Sequence, residues 1–216
     1  MTSVFYRDPR STYPQAVRAR GMYLYDDTGR AWLDMSGGAA VCSVGHGHAG
    51  VIAAIQAQAA SLAFAHTAFF TNAPQEELAQ RISARFAERD ARVFFTSGGS
   101  EANETALKLA WFYWQALGQK GKTQVISRQY SYHGNTLGAL SVSDSRARRA
   151  PLAGVLHEWP RIAPCYAYRH QHADESAEAY GLRAARELER ALEVSGPENV
   201  AAFIAEPVVG ASLGAV

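Results

Sequence analysis

The N-terminal third of the chain carries short apolar runs separated by glycine and polar turns. Residues 1–20 are polar and without periodicity, which predicts an irregular segment. In GMYLYDDTGRAWLDMSGG, the runs Met22–Tyr25 and Ala31–Met35 flank Asp26-Asp27-Thr28-Gly29, the signature of a β-hairpin. A glycine-rich link, SVGHGHAG, leads into a helix from about Gly50, where Val51, Ile55, Ala59 and Leu62 keep helical spacing. A second helix follows Pro74, a residue whose fixed φ suits the first turn. Leu78, Ile82 and Phe86 lie four apart on one of its faces.

From residue 93 the pattern alternates strand and helix. Val93–Thr96 reads as a strand, and Ser100–Leu117 as a helix with Leu107, Trp111, Trp114 and Leu117 along one side. Gln124–Ser127 is a second strand, with a short helix near Asn135–Leu140. Residues 144–174, with Pro151, Pro160 and Pro164, read as a long polar loop. Tyr180, Ala184, Leu188 and Leu192 mark an amphipathic helix ended by Gly196-Pro197, and Val200–Ala205 reads as a buried strand. Such alternation predicts an α/β fold, a parallel sheet with helices on both faces.

Composition narrows the function classes. At 48% hydrophobic and 19% charged residues the chain has the means for a packed core, which argues against global disorder. A net charge of +1 gives no electrostatic case for nucleic acid or an anionic membrane. Arg146, Arg148 and Arg149 read as a solvated face. Cys42 and Cys165 form no CxxC pair, so two reduced thiols are expected rather than a zinc site or a disulfide. His46-Gly47-His48 and His170-Gln171-His172 lack an anchored third ligand, and no metal is assigned. The polar N-terminus and the lack of any membrane-length apolar window predict a cytoplasmic protein.

Chemistry concentrates in VFFTSGGSEANETALKLAW, residues 93–111. A strand runs into Ser97-Gly98-Gly99-Ser100 and then a helix. Two glycines allow a tight turn and close approach of a ligand. The first helical N–H groups, unpaired within the helix and at the positive end of its dipole, form with the Ser100 hydroxyl an anion site suited to phosphate. An ordinary capped turn fits the same residues, since Glu101 and Glu104 favour the dipole without any ligand. The stretch matches neither GxGxxG nor the P-loop pattern.

Its company decides between them. SGGSEANETALKLAW, then SYHGNTLGALS at 131–141, then AFIAEPVVG at 202–210, preceded by YLYDDTGRAWLDMSGGAAVCSVGHGH at 23–48, resembles in order and spacing the class III (omega-amino-acid type) aminotransferases that depend on pyridoxal 5'-phosphate (PLP). The resemblance runs from about Tyr13 to Val216. It implies PLP-dependent transferase fold type I (aspartate-aminotransferase-like), with residues 1–62 as N-terminal arm and part of the small domain. Residues 63–216 would be the first half of the PLP-binding large domain.

The activity implied is transfer of an amino group from an amine or amino acid to a 2-oxo acid. An aminomutase or decarboxylase of the same fold is the alternative. By resemblance Gly98, Gly99 and Ser100 hold the cofactor phosphate, Tyr132 stacks on the pyridine ring, His133 lines the site, and Glu206 joins the hydrogen bonds beside the ring. Taken alone, Tyr132 and His133 read as structural residues and Glu206 as a solvent-facing strand end. Phe69 and Phe70, in HTAFFTN at 66–72, with Val41, are implied for the substrate pocket of a homodimer with shared active sites, although core packing suits either phenylalanine. Ala211 stands where ornithine- and gamma-aminobutyrate-type members carry a second glutamate able to pair with an arginine, which argues against those two donors.

The family's chemistry also needs a Schiff-base lysine and an aspartate at the ring nitrogen. Lys108 lies eight residues beyond Ser100, roughly 12 Å along the helix axis, and Lys120 and Lys122 follow at its far end. None suits the role, and the family's lysine and aspartate lie beyond the EPV motif and hence beyond Val216. The sequence is therefore expected to be a fragment of a longer enzyme, one product of a split gene, or a non-catalytic half-chain acting as a binding module. In each case it would be inactive alone.

Overall fold

The structure, a computed structural model, describes residues 2–87 and 90–214. It resolves into two compact units, Met1–Arg92 and Val93–Val216. Among the described residues no helix is long and apolar enough to cross a membrane.

The first unit holds an antiparallel sheet of β1 (Ala16–Arg20), β2 (Tyr23–Asp26) and β3 (Ala31–Leu33), in that order. The expected hairpin is β2–β3, with Leu24 opposite Trp32. Asp26 organises its turn, accepting from Thr28 N, Thr28 Oγ1, Arg30 N and Trp32 Nε1 at 2.7 to 3.0 Å. Strand β1 corrects the expectation of an irregular start. It pairs with β2 through its backbone, and the Arg18 guanidinium lies 3.5 Å from the Tyr25 ring centroid. A strand held by cation–π contact and main-chain bonds carries no apolar stripe, so periodicity does not reveal it.

Four successive residues, Gly37 to Ala40, then have positive φ and form the short turn α1 (Gly37–Ala40), wound in the left-handed sense. The preceding Asp34 accepts from Gly38 N at 3.1 Å and pairs with His46 Nε2 at 2.8 Å. Helix α2 (Ala49–Ser61) is capped by His48 Nδ1, and α3 (Ala73–Ser83) by Asn72 Oδ1 with Pro74 in its first turn. Neither helix has a buried residue, so the apolar faces read from the sequence are open among the described residues.

The second unit contains α4 (Gly99–Ala116), β4 (Gln124–Arg128), α5 (Leu137–Val142), α6 (Arg146–Arg149), β5 (Arg161–Ile162), α7 (Ala167–His170), α8 (Ala177–Ser195) and β6 (Val200–Phe203). Its sheet is parallel, in the order β5-β4-β6. Successive residues of β4 face opposite ways, as strand geometry requires. Val125 packs with Leu107 of α4 and Val142 of α5, while Ile126 packs with Ile162, Val200 and the α8 residues Leu188 and Leu192. Helices therefore cover both faces, as the alternation predicts. Trp114 Nε1 donates to Ala201 O at 2.7 Å, tying α4 to β6.

Four expectations change. Val93–Thr96 is not a strand, because no strand among the described residues completes a ladder with it and Phe94 and Phe95 stay exposed. Strand β6 buries only Val200 fully. The segment 144–174 is not a bare loop: it holds α6, a 3₁₀ turn at Ala150–Val155, β5 and α7. Arg149 is not solvated. It is 8% exposed, its charge absorbed by backbone carbonyls and Glu158.

Candidate functional site

The C-terminal ends of β4 and β6 and the N-terminus of α4 bring three distant motifs together. Gly98 is the N-cap of α4 and has no side chain to satisfy the first N–H groups. A Cβ placed on Gly98 or Gly99 would meet nothing within 4 Å, so this rim is open. Gly98 is extended, with φ −172°, a conformation any residue adopts. The glycines here are therefore not needed by the backbone, and what they leave is room.

Ser100 is tied to the second motif. Its Oγ accepts from Asn135 N at 2.9 Å. One turn on, Asn103 Nδ2 donates to His133 O, and Glu104 Oε2 accepts from Thr136 Oγ1 at 2.7 Å and from Ala139 N at 3.1 Å. Contact is close enough that a side chain at either of two glycines would force a neighbour to move. Gly134 has φ +139°, and a Cβ there would fall 2.8 Å from Ser100 Cα and Ser100 Oγ. At Gly138 it would fall 2.5 Å from Glu104 Oε2.

Tyr132 and His133 follow the end of β4. Tyr132 N donates to Glu206 Oε2 at 3.0 Å, which brings the third motif in. One face of the Tyr132 ring carries the Arg148 guanidinium, 4.4 Å from the centroid. His133 is 6% exposed; its backbone N–H donates to Ser143 Oγ at 2.8 Å. Its Nε2 is buried without a hydrogen-bond partner among the described residues. Burial lowers the pKa of this imidazole and favours the neutral form. An orphaned buried nitrogen beside an open, glycine-bounded helix N-terminus is the arrangement expected of a pocket for a polar ligand.

Gly98, Gly99, Ser100, Tyr132, His133 and Glu206 thus share one region of the second unit. Phe69, Phe70 and Val41 belong to the first unit, where they are 80%, 67% and 79% exposed, so neither phenylalanine packs in that unit's own core. Lys108 and Lys120 are exposed, while Lys122 Nζ donates to Val200 O at 3.2 Å and lies 4.3 Å from the Trp114 ring centroid. Sequence reasoning missed Asn103, Glu104, Gly134, Asn135 and Arg149. The signal available for Gly134 and Asn135 was their place in SYHGN; for the others only the three-dimensional contacts speak.

Comparison with known proteins gives this arrangement a context. The model of the family aminotransferase class-III matches residues 6–214. An uncharacterised aminotransferase of Schizosaccharomyces pombe is 42% identical over 212 residues, covering 98% of this chain and 46% of that protein. Putrescine–pyruvate aminotransferase of Pseudomonas aeruginosa is 38% identical over 201 residues, covering 90% of this chain and 43% of that protein. Among solved structures, the omega transaminase from Pseudomonas jessenii in complex with PMP superposes with a TM-score of 0.89 at 31% identity, covering 98% of this chain and 49% of that one. The chain spans about half the length of the relatives it matches.

Proposed function

The chain belongs to the class III aminotransferases, and from that premise we propose that it forms the cofactor-cradling part of a PLP-dependent enzyme that moves an amino group from an amine or amino acid to a 2-oxo acid. The observation that carries this reading is the convergence of residues 98–100, 132–135 and 206 at the C-terminal ends of the parallel strands, where α/β sheets bind ligands.

The residues present fit the group. The α4 N-terminus, opened by Gly98 and Gly99, would take the phosphate on its free N–H groups with the Ser100 hydroxyl. Tyr132 would offer the ring face opposite Arg148 as a platform for the pyridine, and Glu206, bound to Tyr132 N, would set its height. His133 would present a neutral imidazole edge from the wall. Bound there, PLP supplies the electron sink that amino-group transfer needs. The chain's own residues at this site would bind and orient, and none of Lys108, Lys120 and Lys122 belongs to it.

Exposed Phe69, Phe70 and Val41 suit a substrate pocket completed between subunits of a homodimer. Ala211 offers no carboxylate to hold an arginine, which favours donors other than ornithine and gamma-aminobutyrate.

The test is a spectrophotometric titration with PLP of the protein made from its complete reading frame, followed by a panel of amines and amino acids with pyruvate. Saturable uptake of PLP and donor-dependent formation of alanine are expected. A protein that takes up no PLP overturns the proposal.

A further inference from the structure

Helix α5 is six residues long, too short to hold itself together, because nearly every N–H and C=O it has belongs to an end. At its N-terminus Thr136 caps Ala139 N, and Glu104, reaching across from α4, accepts from both Thr136 Oγ1 and Ala139 N. At the other end Arg149 Nη1 donates to Leu140 O at 2.7 Å, Ser141 O at 3.0 Å and Ser143 O at 3.2 Å. Arg161 Nη2 adds a bond to Ser141 O at 2.9 Å. Glu158 binds both arginines, and they hold its carboxyl below the ordinary range, Arg161 more than Arg149.

What this helix carries matters more than the helix. Its last cap, Ser143, accepts from His133 N through Oγ. Asp144, the next residue, accepts from Tyr130 N through Oδ2 at 2.9 Å and donates its own N–H to Ser131 O at 2.9 Å. The segment bearing Tyr132 and His133 is therefore bonded to the C-terminal end of α5 through Tyr130, Ser131 and His133. The N-terminal end is bonded to α4 one turn from Ser100. The phosphate cradle and the ring platform are joined directly, by Asn135 N on Ser100 Oγ and Asn103 Nδ2 on His133 O, and a second time through a short helix pinned by a carboxylate at one end and a buried guanidinium at the other.

We propose that Glu104 and Arg149 are positioning residues that fix the distance between the phosphate cradle and the Tyr132–His133 platform. This rests on the reading of the site as a PLP cradle. Neither residue reaches the cradle's open rim. Each acts through α5, so its loss leaves the platform held to α4 only by the Ser100–Asn135 and Asn103–His133 bonds, loosening it relative to Ser100 while the sheet and α8 stay in place.

The test compares Arg149→Met and Glu104→Met in the protein from its complete reading frame, with Ile162→Val as a control that loosens the core on the α8 face. Three readouts are taken well below the melting point: far-ultraviolet circular dichroism, PLP affinity, and the visible-region dichroism that the bound cofactor acquires from a fixed orientation. Both positioning variants are expected to keep their secondary structure, to bind PLP roughly ten- to a hundredfold more weakly, and to lose visible dichroism even when saturated. Arg149→Lys, which keeps the charge without the fork, should fall between. Ile162→Val should melt earlier and bind PLP as the parent does. Parental affinity and dichroism in both Arg149→Met and Glu104→Met would overturn the proposal, however much their melting points fall. Should Arg149→Met fail to fold, Glu104→Met decides alone, since methionine keeps the length and nearly the volume of glutamate without its acceptor oxygens. Failure of the PLP reading is distinguishable, because the unsubstituted protein would then bind no PLP at all.

Discussion

Two glycines a short distance apart ask opposite things of the backbone. Gly134, at φ +139° and pressed on Ser100, has no room for a side chain. Gly134→Ala should cost at least about 2 kcal/mol, from strain and overpacking together, measurable by denaturant titration. Gly98 is extended and faces open space. Gly98→Ala should therefore leave stability within about 0.5 kcal/mol while weakening PLP binding; equal binding in the variant would remove Gly98 from the cradle. His133 gives a third handle. Burial lowers its pKa below the ordinary 6.5, so the folded state binds fewer protons than the unfolded state as pH falls below that value. Its contribution is complete above about pH 6.5 and is lost as the pH drops through the folded-state pKa. Denaturation midpoints of a His133→Gln variant should be flatter across this range than the parent's. The place of Ser100 in the first turn of a helix was legible from the sequence because a serine after paired glycines is a helix-start signal. Arg149 was not: three neighbouring arginines look alike in sequence, and only burial against the end of α5 separates one from the rest.

Elements defined by their own side chains were legible. Helix α4 announced itself by the spacing of Leu107, Trp111 and Trp114, and the β2–β3 hairpin by its turn. Elements defined by neighbours were not. Val93–Thr96 has strand composition yet no ladder, and β1 has a ladder but no apolar alternation. The hairpin and the turn after it also set an acid limit on the first unit. Asp34 is held at a pKa of about 2, chiefly by His46, and Asp26 at about 2, chiefly by Thr28 and then Trp32, against an ordinary 3.8. Both folded values are depressed, so their stabilisation is present above about pH 4 and lost as the pH falls toward 2. Asp34→Asn should narrow the difference in stability between pH 5 and pH 2.5; an unchanged difference would show that the pair contributes nothing.

The whole molecule falls into two compact units. Among the described residues the first presents open helix faces and exposed aromatic residues, and the second gathers residues 98–100, Tyr132, His133 and Glu206. Ligand binding to the second unit alone should raise its unfolding free energy by about 2.7 kcal/mol at a PLP concentration a hundred times the dissociation constant. In calorimetry only the transition belonging to Val93–Val216 should move.

One consequence follows from the strand order. With β4 in the centre, β6 has no strand partner on its far side among the described residues, and Trp114 bonds the carbonyl of Ala201. A strand edge so lightly guarded is a template. Two chains of these 216 residues, concentrated on their own, should pair β6 against β6 as a closed dimer, which light scattering over a concentration series would detect.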